Sequence, residues 1–319
     1  MRPLRRLSAF VLAASLFAGC GSAKNPVTDA GSAPTKTVEV AVAFYPIEEI
    51  VRSVGGAAVR VVTLVPPGEE AHIYEPTPQQ VSALESADIV FYLGGGFQPN
   101  VEKAIRSLPA SVAKVDLLAK ITLFPVTAQL AGVDGKTEGE VLAGGNDPHV
   151  WLDPNNMQIM VGEVQQSLSS FSVLDATALA ANGAAYDAKL TDLDAHYRAG
   201  LATCTSKVIV TGHRAFGYLA ARYGLEQVAI AGISPEEEPS AKTLEAIAKA
   251  AKERNVTTIF FESSLPADLS KTVAAEIGAR TDVLNPVESL TKAQIDGRAS
   301  YLSEMERNLA TLEKGLGCG

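Results

Sequence analysis

Local metal-binding signatures are missing from this chain. Neither a His-Glu-x-x-His pair nor a Cys-x-x-Cys pair occurs in it, which excludes the helical zinc-protease site and thiolate zinc modules. Histidine, cysteine and tryptophan are scarce, at four, three and one in 319 residues. An excess of positive charge is also lacking. With 27 basic against 36 acidic residues the formal charge is −9, which argues against nucleic acid and against an anionic membrane surface as partners. The one N-terminal apolar run, Leu7 to Phe17, is too short to span a bilayer. No internal repeat is visible. What remains, 47% apolar and 20% charged, is the composition of a globular protein.

The N-terminus reads as a secretory signal over residues 1–19. Arg2, Arg5 and Arg6 precede the apolar run, and Ala18-Gly19 lead into Cys20. The stretch LFAGC resembles the lipobox of bacterial lipoproteins, with Phe17 where leucine is commoner, and implies a lipid on Cys20. Without the signal, 24 basic and 36 acidic groups remain, a charge of −12. Residues 20–37, small and polar, form a flexible tether in this reading. In an exported chain the two remaining cysteines, Cys204 and Cys318, pair by default.

From Val38 onward, β-branched runs alternate with helical ones. Strands are expected at 38–44, 59–65, 88–93 and 111–118, with helices between them, and a second set follows from 207 onward. This order predicts an α/β protein with two lobes, each a parallel sheet flanked by helices. Residues 119–147 read as loop. Between the lobes, Leu179, Tyr186, Leu190, Leu193, Tyr197 and Leu201 recur at helical spacing. One long linker helix capped by Asp175 accounts for them, and a break near Asn182-Gly183 would divide it in two. The boundaries are then 38–174 for the first lobe, 175–202 for the linker and 203–319 for the second.

The stretch NDPHVWLDP (146–154) sets His149 between two Asp-Pro pairs and beside the lone Trp151. Proline fixes its own φ and restricts the residue before it, so His149 is presented from a stiff loop. His72, in LVPPGEEAHIYEPTP, and His213, in VIVTGHRAFGYLA, follow strands, as does Glu288 in DVLNPVESL. Open α/β sheets build sites at the carboxyl ends of strands. Two such residues from each lobe would meet in the cleft, and three imidazoles with a carboxylate suit Zn²⁺. His196, in the long helix, reads as a surface residue.

EEAHIYEPTP, DPHVWLDP, TGHRAFGYLAARYGL (with Ala221 as an extra residue) and AGISPEEEPS resemble the metal-binding lipoproteins of ABC transporters for zinc and manganese, the zinc branch in particular. The resemblance runs from about Val38 to the end. It implies that His72, His149, His213 and Glu288 hold the metal, that Zn²⁺ is cargo rather than a catalytic cofactor, and that the protein performs no chemistry. It further implies a monomer, lipid-anchored outside the cell membrane or periplasmic, that delivers Zn²⁺ to an ABC transporter permease. Rival readings are manganese delivery, a zinc-dependent hydrolase, and a structural or adhesive lipoprotein. Three departures stand out. Residues 119–147 contain no histidine, GGGFQPN carries Gln98 and Asn100 where the family often has Glu and Trp, and Glu262 is a second acidic candidate, read as supporting rather than ligating. Glu236, Glu237 and Glu238 form either a solvated loop or a surface that docks the permease.

Overall fold

A computed structural model describes residues 37–126, 145–236, 239–262 and 267–319. The expected signal, Cys20, nearly all of the tether, and Glu237 and Glu238 lie outside the described residues. Glu236 is described, and it is exposed.

The first lobe runs β1 (Val38–Val42), α1 (Tyr45–Gly55), β2 (Val59–Thr63), α2 (Pro78–Glu85), β3 (Ile89–Tyr92), α3 (Pro99–Ser107) and β4 (Ala113–Asp116). Its strands pair in parallel in the order β2-β1-β3-β4. Two helices follow, α4 (Pro154–Leu168) and α5 (Ala176–Gly200). The second lobe comprises β5 (Val208–Thr211), α6 (Gly217–Tyr223), β6 (Glu226–Ala229), α7 (Ala241–Glu253), β7 (Thr258–Phe261), α8 (Asp268–Ile277), β8 (Arg280–Val283), α9 (Lys292–Asp296) and α10 (Tyr301–Leu316). Its sheet repeats the same parallel order, β6-β5-β7-β8. Parallel pairing demands a crossover after each strand, which is why helices alternate with strands in both halves.

The helix α4 has no counterpart in the sequence reading. Asp153 caps it by accepting from the Asn155 N–H, and Pro154 occupies its first turn, where a missing N–H costs nothing. The helix α5 is continuous from Ala176 to Gly200, without the alternative break near Asn182-Gly183. Asp175 caps it as anticipated, accepting from the Thr177 and Ala178 N–H groups. Gly183 is where α4 comes close, since a Cβ there would lie 2.6 Å from Gln165 Oε1. Asn182 reaches across to donate to the Val54 carbonyl at 3.0 Å. Both residues serve packing rather than a turn.

Leu179, Tyr186, Leu190, Leu193 and Tyr197 of α5 are buried, each contributing about 1.5–3 kcal/mol by leaving water. Tyr197 also donates from its hydroxyl to the Met305 carbonyl of α10 at 2.7 Å. These residues belong to one apolar core that takes in the first sheet, α4, α5 and α10, while a smaller core lies between the second sheet and α7 and α8. Among the described residues no helix is long and apolar enough to cross a membrane.

Cys204, just past α5, and Cys318, just past α10, are within bonding distance across 114 residues of sequence. Closing so long a loop restricts the unfolded chain by about 4–5 kcal/mol in the chain-entropy model. Reduction should therefore move the denaturant midpoint down by a corresponding amount. Thiol labelling of the folded, unreduced protein should find neither sulfur, and full labelling of both would rule the bond out.

Candidate metal centre

The four residues singled out in the sequence come together at one buried point between the lobes. His72 lies in the segment between β2 and α2, nine residues past the strand, and His149 in the turn before α4. His213 follows β5 by two residues, and Glu288 follows β8 by five. All four are buried. Their donor atoms lie within 4.8 Å of one another.

The spacing is that of a small coordination shell. His149 Nε2 is 3.2 Å from His72 Nε2 and 3.3 Å from His213 Nε2. Glu288 Oε1 is 3.4, 3.5 and 3.6 Å from the Nε2 atoms of His213, His149 and His72. A tetrahedron with bonds of about 2.05 Å has edges of about 3.3 Å, close to these five separations, and the sixth, from His72 to His213, is within 4.8 Å. Glu288 Oε1 is buried with no hydrogen-bond partner among the described residues, an arrangement that costs free energy unless a cation faces it.

Second contacts orient two of the rings. Asp147 Oδ1 accepts from both the backbone N–H and the Nδ1–H of His149, each at 2.9 Å. The Tyr218 hydroxyl in turn donates to the Asp147 carbonyl at 2.9 Å. Glu262, at the end of β7, accepts from His213 Nδ1. A carboxylate on Nδ1 fixes the tautomer that turns the Nε2 lone pair inward and makes it more basic. Glu262 thus supports His213, as the sequence reading preferred. Asp147 went unrecognised there, although an Asp two residues before a loop histidine is the local signal for such a contact.

His72 is held differently. Its Nδ1 is buried without a hydrogen-bond partner among the described residues, and Phe97 packs edge-on against its ring at 4.7 Å. Gln98, buried beside Phe97, donates to the Ala71 carbonyl at 3.0 Å, so the GGGFQPN loop fixes the segment that carries His72. Asn100 lies exposed in the first turn of α3. Glu70, also missed in the sequence, accepts from the His72 N–H at 2.9 Å. Burial, aided by the nearby Glu288, pushes its carboxyl up to about 7. His196 is exposed and pairs with Glu306 across two helices at 2.8 Å.

Titration separates the rings as their contacts do. Burial pushes His72 down to about 4, against the pull of Glu288. Burial also opposes charge on His149 and His213, but the carboxylates outweigh it. Asp147 and Glu288 raise His149, and Glu262 and then Glu288 raise His213 well above the ordinary range. Burial would raise Glu288, yet the surrounding imidazoles, His72 first, hold it well below the usual carboxylate range.

Known proteins share this chain's sequence and fold. Residues 40–315 match the family described as ZnuA, zinc-uptake complex component A, periplasmic. The zinc-binding lipoprotein AdcA of Streptococcus pneumoniae strain R6 is 36% identical over 279 residues, which is 87% of this chain and 55% of AdcA. The chain therefore spans about half the length of that relative. The high-affinity zinc uptake system protein ZnuA of Bacillus subtilis strain 168 is 35% identical over 311 residues, 96% of either chain. The crystal structure of the Zn(II)-bound ZnuA-like domain of the pneumococcal AdcA superposes with a TM-score of 0.74 at 34% identity, covering 88% of this chain and 99% of that domain. A family match over nearly all of the described fold, joined to a relative alike from end to end, makes this chain a member of the ZnuA family.

Proposed function

We propose that the protein captures Zn²⁺ outside the cytoplasm and hands it to an ABC importer in the membrane. His72, His149, His213 and Glu288 are the ligands in this reading, and Zn²⁺ is cargo. The observation that carries it is the set of four buried donors, five of whose six separations are 3.2–3.6 Å and all of which lie within 4.8 Å of one another, a spacing suited to a four-coordinate zinc shell. The relatives' names, zinc-binding lipoprotein and zinc uptake system protein, support the same assignment.

The donor chemistry favours zinc over manganese. Three borderline nitrogens and one carboxylate suit Zn²⁺, whereas Mn²⁺ prefers more oxygen and ranks lowest in the divalent affinity order. Of the other nearby carboxylates, Asp147 and Glu262 are engaged by imidazole Nδ1 atoms and Glu70 by the His72 backbone N–H. A hydrolytic role is disfavoured because catalytic zinc keeps one position open for water, and four protein donors fill the shell. The lipid on Cys20, the monomeric state, the division into lobes at 38–174 and 203–319 with 175–202 as linker, and the Cys204–Cys318 bond in an oxidising compartment complete the proposal.

Three outcomes are expected. Competition titration should give one Zn²⁺ per chain, bound more tightly than Mn²⁺. Glu288→Ala or His213→Ala should weaken zinc by more than the roughly 10–100-fold expected for the supporting change Glu262→Gln. Equal binding of Mn²⁺, or no loss in Glu288→Ala, would overturn the assignment.

Proton release gives an independent check. Burial opposes charge on His213, but Glu262 and Glu288 keep its proton bound well above the ordinary histidine range. Zinc must displace that proton. Affinity should therefore fall with falling pH from neutrality downward, and zinc uptake at pH 7 should acidify a weakly buffered solution. An unchanged pH at full saturation would contradict the ligand set.

Intact mass of the membrane-bound protein should place the mature N-terminus at Cys20 with added acyl mass. A free N-terminus elsewhere would rule out the anchor.

A further inference from the structure

Three non-glycine residues among those described have positive φ: Asn255 at 56°, Val287 at 59° and Arg298 at 56°. Asparagine tolerates this region, and Arg298 sits exposed just past α9. Val287 is a different case. It is β-branched, fully buried, and immediately precedes Glu288. A β-branched residue in the left-handed region is a true outlier, and such strain persists only where surrounding contacts enforce it.

The enforcing contacts come from both lobes. On the second-lobe side, the Val287 N–H donates to Asn285 Oδ1 at 2.8 Å. Asn285 is locked to α10, donating from its N–H to Asn308 Oδ1 at 2.9 Å and accepting at its carbonyl from Asn308 Nδ2 at 2.6 Å. From the first lobe, the Trp151 indole N–H donates to the Pro286 carbonyl at 2.7 Å. Trp151 is itself immobilised. Its ring packs against Phe44 and Phe97 at 4.9 and 5.3 Å, and its carbonyl accepts from the Tyr301 hydroxyl at 2.6 Å. The peptide whose carbonyl Trp151 holds is the one that joins Pro286 to Val287.

We infer that Trp151 is a positioning residue: its hydrogen bond across the cleft holds Val287 in the left-handed conformation and so keeps Glu288 aimed at the three imidazoles. The fourth donor is sprung against a clamp that belongs to the other lobe. When the lobes part, the Pro286 carbonyl is freed, Val287 relaxes to negative φ, and the carboxylate turns away from the metal. Metal release is thereby tied to loss of the hydrogen bond between the Trp151 indole and the Pro286 carbonyl. This rests on the reading of Glu288 as a zinc ligand.

The test is a double-mutant cycle on the full chain, read by zinc competition titration and by the rate of zinc loss to a chelator. Trp151→Phe keeps an aromatic ring and removes the N–H. Val287→Gly accepts positive φ without strain, and Val287→Ala loses nearly the same side chain but keeps the strain. Trp151→Phe should bind zinc about tenfold more weakly, with faster loss, as expected for one hydrogen bond and its orphaned acceptor. In the Val287→Gly background the same change should cost less than about threefold, because coupled sites are not additive. Val287→Gly should also hold zinc about fivefold more tightly than Val287→Ala, since only alanine resists positive φ. This last comparison leaves Trp151 untouched, so it can overturn the inference even if Trp151→Phe fails to fold. Additive effects, or equal affinity of the Gly and Ala variants, would overturn the inference. If the wild type takes up no zinc, or Glu288→Ala takes it up as tightly as the wild type, the site assignment itself falls, and the inference with it.

Discussion

Three imidazole nitrogens and a carboxylate oxygen crowd one buried point, His149 lying 3.2 Å from His72 and Glu288 3.4 Å from His213. Lone pairs so close repel unless positive charge sits among them. Protons can supply that charge, and the neighbouring carboxylates favour them on His149 and His213 against the opposing effect of burial. A divalent cation supplies it better, because it satisfies all four donors at once. Each lobe contributes two of the four donors, His72 and His149 from the first and His213 and Glu288 from the second.

The supports are unequal, and the inequality follows from the fold. His149 and His213 each have a carboxylate on Nδ1, one from the neighbouring turn and one from the adjacent strand. His72 has none, and its ring rests on Phe97. It stays neutral most easily, with burial holding its pKa down at about 4, so near neutrality it has no proton to lose before ligating. The other two are stronger donors once their protons leave. In the proposed ligand set, metal competes with protons at His149 and His213, so binding weakens as the pH falls.

The frame around the site is rigid where it must be. The helix α5 is unbroken and shares its apolar face with α1, α4 and α10. Trp151 adds a second connection close to the ligands, joining the His149 segment to the Glu288 segment through a single hydrogen bond. The strained backbone at Val287 is the local cost of bringing a carboxylate from a loop five residues past its strand into contact with three rings.

Periodicity alone specified the two α/β lobes, because crossover connections and half-buried helices impose patterns of 2.0 and 3.6 residues that are local. The stiffness of the His149 loop was equally legible, since proline acts on its immediate neighbours. The grouping of His72, His149, His213 and Glu288 was not local. Up to 216 residues separate them in the chain, and it was likeness to known motifs rather than spacing that joined them. Helix α4 escaped because Gly162 and a run of polar residues blur its apolar stripe. The roles of Glu70, Gln98 and Asp147 and the left-handed turn at Val287 were decided only by tertiary structure. Each depends on which distant side chain or backbone arrives beside it, and a linear pattern carries no record of that arrival.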